Sequence, residues 1–464
     1  MKTVSRTPAV MFLAFAFSLS AVGLKHVQAE EGKTVQEEIL DILKQEGTIA
    51  PERHDELLKK AREEEVKASK GAQVGFKREF FLESPDTDSR LQPYLKLRPQ
   101  FRAFEANNPA SNGFFIRHAR LGAKGTIYKY YDFDIAGEFG KGSQELWDAY
   151  MGFNYLPWAR LRFGQYKQPF SLDWYSPADW RDFIEMPLPI DNLTPDRDIG
   201  VMVHGNVAKG VLDYGLSLCN GTGKNTHDTN DEKDLVARLV LTPFNASKNA
   251  LLKGLHLGGG MTYGKQETAR DEMRRKGKFQ TAGETVFFQF NDTVFHDGER
   301  IRYGAELAWI VGPFSLKGEW ARMDLDDLYV TEGGSKDDFS IDGSYVSLSY
   351  ILTGESQPFK DGTYRMIVPK QSFDPQKGTW GAIQLVARYE TFSIDKDLFL
   401  KGYADADTYT SDADGVTLGV NWYLNDRIKA MVNYNRTDFD GHIIKNGKQL
   451  KNEDVVLVRI QLVL

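Results

Sequence analysis

Apolar and polar positions along this chain follow two different periods, and the change near residue 76 divides it. Before that point, Val35, Ile39, Ile42 and Leu43 recur at helical spacing on one face. Gly47 ends that helix, Pro51 opens a second, and Leu57, Leu58 and Ala61 form its short apolar face. The stripe is too narrow to bury a core. Residues 30–75 are therefore predicted as a small helical hairpin or short coiled coil that packs on itself in an oligomer or on another surface.

After residue 76 the period is two. Leu95, Leu97, Phe101 and Ala103 alternate with Lys96, Arg98, Gln100 and Arg102. Ile301, Tyr303, Ala305, Leu307 and Trp309 alternate with Arg302 and Glu306, and Ile428, Ala430, Val432 and Tyr434 with Lys429 and Asn433. One face is apolar and the other carries full charges. The runs are about ten residues long, the length of a tilted membrane-spanning strand rather than of an ordinary soluble one. Sixteen are predicted, near 94–104, 114–125, 127–139, 145–155, 158–166, 199–206, 211–219, 234–242, 254–264, 300–311, 313–323, 342–352, 380–392, 414–424, 427–437 and 454–464. An even count suits a closed antiparallel barrel. Short turns such as Leu156-Pro157-Trp158 and Gly312-Pro313 alternate with long polar connections such as 220–233, 265–299 and 393–413. That is the asymmetry between the two ends of an outer-membrane barrel. Residues 353–379 are long where a short turn is expected. The final strand, with Val456, Val458, Ile460, Leu462 and Leu464 on one face, must pair with the first to remove both edges. The predicted fold class is thus all-β, a transmembrane antiparallel β-barrel over residues 76–464.

Composition sharpens this picture. Mean hydropathy is −0.44, and no apolar run of about 18 residues follows residue 25, so no membrane-spanning helix is predicted there. Residues 1–29 read as an export signal: Lys2 and Arg6 precede the apolar stretch Ala9 to Leu24, and Val27-Gln28-Ala29 offers a small-x-small cleavage site. Cys219 is the only cysteine, which excludes an intrachain disulfide framework and multi-cysteine zinc sites. The formal charge of −7 gives no basic excess for nucleic acid. The eight histidines are scattered and no G-x-S-x-G run occurs, so neither an enzyme nor a cofactor or metal is predicted.

Several segments together resemble one family. They are Phe115-Ile116-Arg117-His118-Ala119-Arg120-Leu121, Trp147-Asp148-Ala149-Tyr150, Phe163-Gly164-Gln165-Tyr166-Lys167-Gln168-Pro169-Phe170-Ser171 and Pro195-Asp196-Arg197-Asp198-Ile199-Gly200-Val201. Tyr350-Ile351-Leu352-Thr353-Gly354-Glu355, Gly381-Ala382 leading to Ala387-Arg388-Tyr389, and Trp422-Tyr423-Leu424-Asn425 continue the set. In order and spacing the chain resembles the phosphate-selective porins of the O and P type. The resemblance implies a sixteen-stranded outer-membrane porin, usually trimeric, with a short helical segment after the signal and room for a long insertion after Leu352-Thr353-Gly354-Glu355. Two departures stand out. The family often has two adjacent basic residues where this chain has Arg117 and His118, and outer-membrane proteins usually carry a terminal aromatic residue where this chain has Leu464.

By strand alternation the lumen face carries Lys96, Arg98, Arg102, Arg120, Lys124, Arg160, Arg162, Arg238, Arg302, Lys317, Arg388, Lys429 and Arg459. These are the candidate pore-lining and anion-binding residues, since rings of Arg or Lys replace the hydration of an anion. A smaller acidic set shares that face: Asp132, Asp134, Glu138, Asp148, Asp213, Glu306, Glu319 and Glu390. Parity places His118 in the lumen and Arg117 outside with Leu121. Residues 167–198, rich in aromatics and prolines, are the candidate constriction loop, with Trp174, Tyr175, Trp180, Arg181 and Asp182. The expected function is passive diffusion of small anions such as phosphate. A general or sugar- or cation-passing channel, and a structural barrel that docks a partner protein, remain open at this point. Expected partners are outer-membrane lipids and further copies of the chain in a homotrimer, with the helical segment in the periplasm.

Overall fold

A computed structural model describes residues 35–69, 73–77, 79–84, 87–106, 108–228, 230–268, 277–331 and 333–464. The predicted export signal lies outside the described residues. The chain divides into two units, Met1–Gly71 and Ala72–Leu464.

The first unit is a helical hairpin, α1 (Val35–Gln45) and α2 (Pro51–Ser69). His54, buried, sits between Asp41 at 2.9 Å and Asp55 at 3.0 Å. Ile39 and Ile42 stay exposed, so the apolar stripe is not covered by the hairpin itself.

The second unit is a closed sheet. Its strands are β1 (Ser89–Phe104), β2 (Gly113–Ile127), β3 (Tyr131–Glu138), β4 (Glu145–Leu156), β5 (Ala159–Lys167), β6 (Arg197–Val207), β7 (Leu212–Cys219) and β8 (Asp234–Leu241). They continue as β9 (Leu255–Thr268), β10 (Phe295–Val311), β11 (Phe314–Tyr329), β12 (Asp337–Ile351), β13 (Ala382–Ile394), β14 (Asp412–Tyr423), β15 (Ile428–Lys445) and β16 (Lys448–Val463). Each is antiparallel to the next. β16 returns to β1 with Val455 opposite Phe104 and Arg459 opposite Gln100, which closes the barrel. A short hairpin of strands Gln73–Lys77 and Glu79–Ser84 joins the start of β1.

All sixteen predicted strands are present. Several run further than the alternation showed. β15 continues through Phe439 to Lys445 and turns into β16 at Asn446-Gly447, both with positive φ, the backbone a tight hairpin requires. In these extensions the inward positions, Phe339, Ile341, Phe439 and Ile443 among them, are apolar and the outward ones largely polar, the reverse of the pattern that marks the rest of the wall.

The barrel is inside-out relative to a soluble protein. Leu121, Leu161, Leu239, Leu348 and Ile460 are exposed on the outer wall, whereas Arg98, Arg120, Arg238, Lys317, Arg388 and Arg459 are buried inside. Such a surface needs lipid around it. Tyr128, Tyr155, Trp158 and Trp380 form exposed aromatics at the short-turn end, the place of an interfacial girdle.

Alternation suggests a lumen lined by charge, but part of the lumen is a packed apolar core. Three connections fold inward to make it. Residues 168–196, with the helical turns α3 (Leu172–Tyr175) and α4 (Leu188–Leu193), cross the lumen. The hairpin of strands Lys278–Gln280 and Val286–Gln289 packs Phe279 and Phe287 on Phe392, with ring centroids 5.2 and 5.4 Å apart. The long 352–381 segment enters from the short-turn end. Its Gly362 carbonyl accepts from Arg238 at 2.8 Å, and its Gln357 accepts from Lys317 at 2.6 Å. Leu188, Ile190 and Leu193 of the first segment join Phe279, Phe288, Ile341 and Phe439 in one cluster.

Entry of the first segment depends on a bare backbone. A Cβ on Gly260 of β9 would stand 2.5 Å from the Phe170 carbonyl oxygen. Gly260→Val therefore forces either loop or strand to shift, at a cost of about 1–3 kcal/mol. A lower temperature for loss of the folded band on semi-native gels checks this; an unchanged temperature contradicts it.

Candidate functional site

The inserted segments leave one large space, a cavity of about 1000 Å³. It lies against β1 to β5, and Trp174 borders both it and the apolar cluster. β-Bulges shape this wall. Across β1 and β2 the pairing runs Arg98 with His118 and then Pro99 with Ile116, so Arg117 is an extra residue. Across β3 and β4 it runs Ala136 with Asp148 and then Gly137 with Leu146, so Trp147 is extra. A bulge re-aims side chains by breaking the period of two. Ile116 and Leu146 remain outside and exposed, while Arg117 with His118, and Trp147 with Asp148, all border the cavity. This corrects the expectation for Arg117, which parity placed outside. Its guanidinium reaches inward to Glu185 at 2.8 Å and Glu284 at 2.7 Å.

The 168–196 segment is held by its acids like a spoked hub. Asp179 accepts from Lys96 at 2.6 Å and also binds Arg98. Asp182 binds Lys317 at 2.6 Å and Gln384 at 3.0 Å. Glu185 meets Arg117 and, at 2.9 Å, Arg459. Wall carboxylates reciprocate: Glu319 accepts from the backbone N–H groups of Leu172 and Asp173, both at 2.8 Å, and Glu390 from that of Leu188 at 2.9 Å. Aspartates and glutamates in an aromatic loop thus meet the arginines that alternation placed inside. Asp179 and Glu185 were not singled out in the sequence, because the partner of a loop carboxylate leaves no local pattern.

The residues expected to line the lumen separate into two groups. Lys96, Arg98, Arg120, Lys124, Arg162 and Arg459 border the large cavity, together with Trp174, Tyr175, Trp180 and Arg181 of the loop. The others face inward but are covered. Arg102 lies under the second inserted segment, donating to Gly283 and Glu284, each at 2.9 Å. Lys317 is spent on Asp182 and Gln357, and Arg388 on Glu390 at 2.9 Å and the Glu185 carbonyl at 3.1 Å. Lys429 donates to the Arg181 carbonyl at 2.8 Å. Arg160 and Arg238 border a smaller cavity of about 250 Å³ with His204 and Asp213, and Arg302 one of about 100 Å³. Tyr175 and Arg365 border both the large and the 250 Å³ cavity.

Among the described residues, fourteen lysines and arginines border the large cavity against nine aspartates and glutamates. Many of these cations are paired. Arg120 meets Glu138 at 3.0 Å, which also takes His118 at 3.0 Å; Arg197 meets Asp148 at 2.9 Å. Arg162, Lys167 and Arg181 have no carboxylate within 4.0 Å among the described residues. Lys167 and Arg181 donate to backbone carbonyls, the nearest at 2.7 and 3.0 Å. Arg162 lies on the ring of Tyr150, 4.1 Å from its centroid, with its Nε buried and without a partner.

The loop acids differ in how readily they charge. Burial raises Glu185, but Arg117 and Arg459 outweigh it and hold the carboxyl down at about 2. Burial, reinforced by neighbouring Glu185, pushes Asp191 up to about 6. Asp191 also borders the cavity. Its raised value means the charged form is disfavoured, so acidification from about pH 7 to pH 5 removes one negative charge from the space. Any preference of the cavity for anions therefore rises over that interval, and Asp191→Asn holds the acid-state preference at both pH values. Reversal potentials at the two pH values read this; an equal shift in the variant contradicts it.

Comparison with known proteins places this architecture. The model of the family "phosphate-selective porin O and P" matches residues 98–464. Porin O of Pseudomonas aeruginosa is 25% identical over 429 residues, covering 85% of this chain and 93% of that one. Among solved structures, an anion-selective porin from Comamonas acidovorans superimposes with a TM-score of 0.52 at 11% identity, over 81% of this chain and 100% of that one. OmpT of Vibrio cholerae, in its trimer form, gives 0.50 at 11% identity, over 81% and 99%. The likeness to these two structures is one of fold.

Proposed function

The chain belongs to the phosphate-selective porin O and P family, and from that premise we propose that its lumen passes small anions, phosphate among them, by diffusion through the β1–β5 side of the barrel. It is a porin of the bacterial outer membrane. One observation carries the anion reading: the open cavity has more cations than acids, and among the described residues Arg162, Lys167 and Arg181 have no carboxylate within 4.0 Å. A cleft of one sign with low-dielectric walls concentrates the opposite ion. A dehydrating anion near such a wall exchanges water for N–H donors, and guanidinium groups match the oxygens of phosphate two at a time. The paired cations, such as Arg98 on Asp179, position the loop. The unpaired ones supply the field.

We further propose that three copies assemble, as in the trimer form of the Vibrio cholerae protein. The short-turn end is assigned to the periplasm, because barrels of this kind turn tightly there. That β1 begins at that end, next to the turn at Tyr128, supports the reading that the helical segment before it belongs to the periplasm.

Planar-bilayer recording tests the reading. In a chloride gradient the reversal potential favours the anion, and added phosphate reduces the chloride current. A reversal potential near zero, or on the cation side, defeats the anion assignment and leaves the barrel as a general channel.

A further inference from the structure

The cations of the open wall are matched to aromatic rings. Arg120 and Arg197 each lie 4.4 Å from the Trp147 ring, and Lys224 lies 4.2 Å from it. Arg162 lies on Tyr150, and Lys167 is 4.8 Å from the Trp174 ring. The three rings and their cations all border the same cavity. Inorganic phosphate profits from such rings only through the cations they orient, whereas a ligand with a ring of its own can also contact them directly. The space is also large for phosphate. About 1000 Å³ corresponds to roughly 30 waters, the upper end of pockets that enclose ligands of drug size.

We propose that this cavity is a binding site for aromatic oxyanions, ring-bearing phosphates or carboxylates, with Arg162 and Tyr150 at its centre. The proposal rests on the anion reading above and deepens it. Arg162 offers what such a ligand needs in one group. Its guanidinium is stacked on Tyr150, it has no carboxylate among the described residues, and its Nε donor is buried without an acceptor. The oxyanion takes the free donors, and the ligand ring lies on the aromatic and guanidinium faces that border the same cavity. Stacking adds to the charge term, as it does where bases lie on aromatic and guanidinium faces. The bulge at Trp147 supports this reading, because it turns inward a ring that strict alternation would leave facing lipid.

The test uses the purified full chain in planar bilayers and compares three blockers of the chloride current. Inorganic phosphate, cyclohexyl phosphate and phenyl phosphate share the charged group; the last two share size, and only the last has an aromatic ring. Phenyl phosphate half-blocks at about tenfold lower concentration than either of the others. Tyr150→Leu removes that advantage and Tyr150→Phe keeps it, with the folded fraction of each variant read from its heat-modifiable gel migration. Equal block by phenyl and cyclohexyl phosphate overturns the proposal while phosphate block persists, and this comparison in the unmodified protein decides even where Tyr150→Leu does not fold. Retention of the advantage in Tyr150→Leu also overturns it. If none of the three blocks and the reversal potential favours no anion, the anion reading falls with it, and that pattern is distinct from the others.

Discussion

Replacing Arg162 by glutamine weakens phosphate block of the chloride current more than any other single change on the open wall. The reason lies in its surroundings. Most cavity cations face a carboxylate, so neutralising one also leaves an acid less compensated and part of the field is simply rearranged. Arg162 has no carboxylate within 4.0 Å among the described residues and lies on the rings of Tyr150 and Tyr166, 4.1 and 5.8 Å from their centroids. No carboxylate pairs with its charge directly, so neutralising it strands no acid. An ion about 5 Å away feels that charge as about 1–3 kcal/mol in a partly aqueous medium, a roughly 5- to 150-fold weaker block. Lysine at this position retains the charge but not the flat, stacked fork, and restores only part of the effect. Titration of the block against phosphate concentration, at fixed ionic strength, reads the ratio. An unchanged half-blocking concentration removes Arg162 from the path.

The second large effect is structural. Asp179→Ala withdraws one carboxylate from two cations at once, since Lys96 and Arg98 both converge on it. Arg98 is buried almost completely, at 1% exposure, and cannot recover water in place. Breaking a buried pair on one side costs about 3–5 kcal/mol. The barrel wall does not supply that energy; the 168–196 segment does, by leaving its seat. The expected result is a larger and noisier single-channel conductance, with trypsin now cutting after Arg181 in the folded protein. Asp179→Glu, which keeps the charge, largely retains the seated loop. A conductance equal to that of the unmodified protein, with Arg181 still resistant, shows that the loop is held elsewhere.

These expectations could not all have come from the sequence, and the reason differs from residue to residue. Strand alternation is a local property, so the sixteen strands and the inward face of Arg98, Arg238 or Arg388 were legible in it. Parity fails wherever one residue is added to a strand, and the bulges at Arg117 and Trp147 are such places. Their side chains enter the lumen against the pattern. The inward fold of 168–196 was legible from its aromatics and prolines. Its anchors were not, because the Asp182 to Lys317 contact joins residues 135 positions apart. Nor could alternation separate Arg162 from Lys317. Both face inward, and only the three inserted segments decide that one meets water and the other meets Asp182 and Gln357.

The placement of those three segments has a consequence for how such a protein can change over generations. The width and character of the passage are set by connections rather than by the number of strands. Insertions or deletions in 168–196, 277–294 or 352–381 redraw the passage while every ladder of the wall stays paired. The cylinder is the chassis and the solute filter an exchangeable cartridge, so new specificities are reachable by small steps without passing through an unclosed barrel.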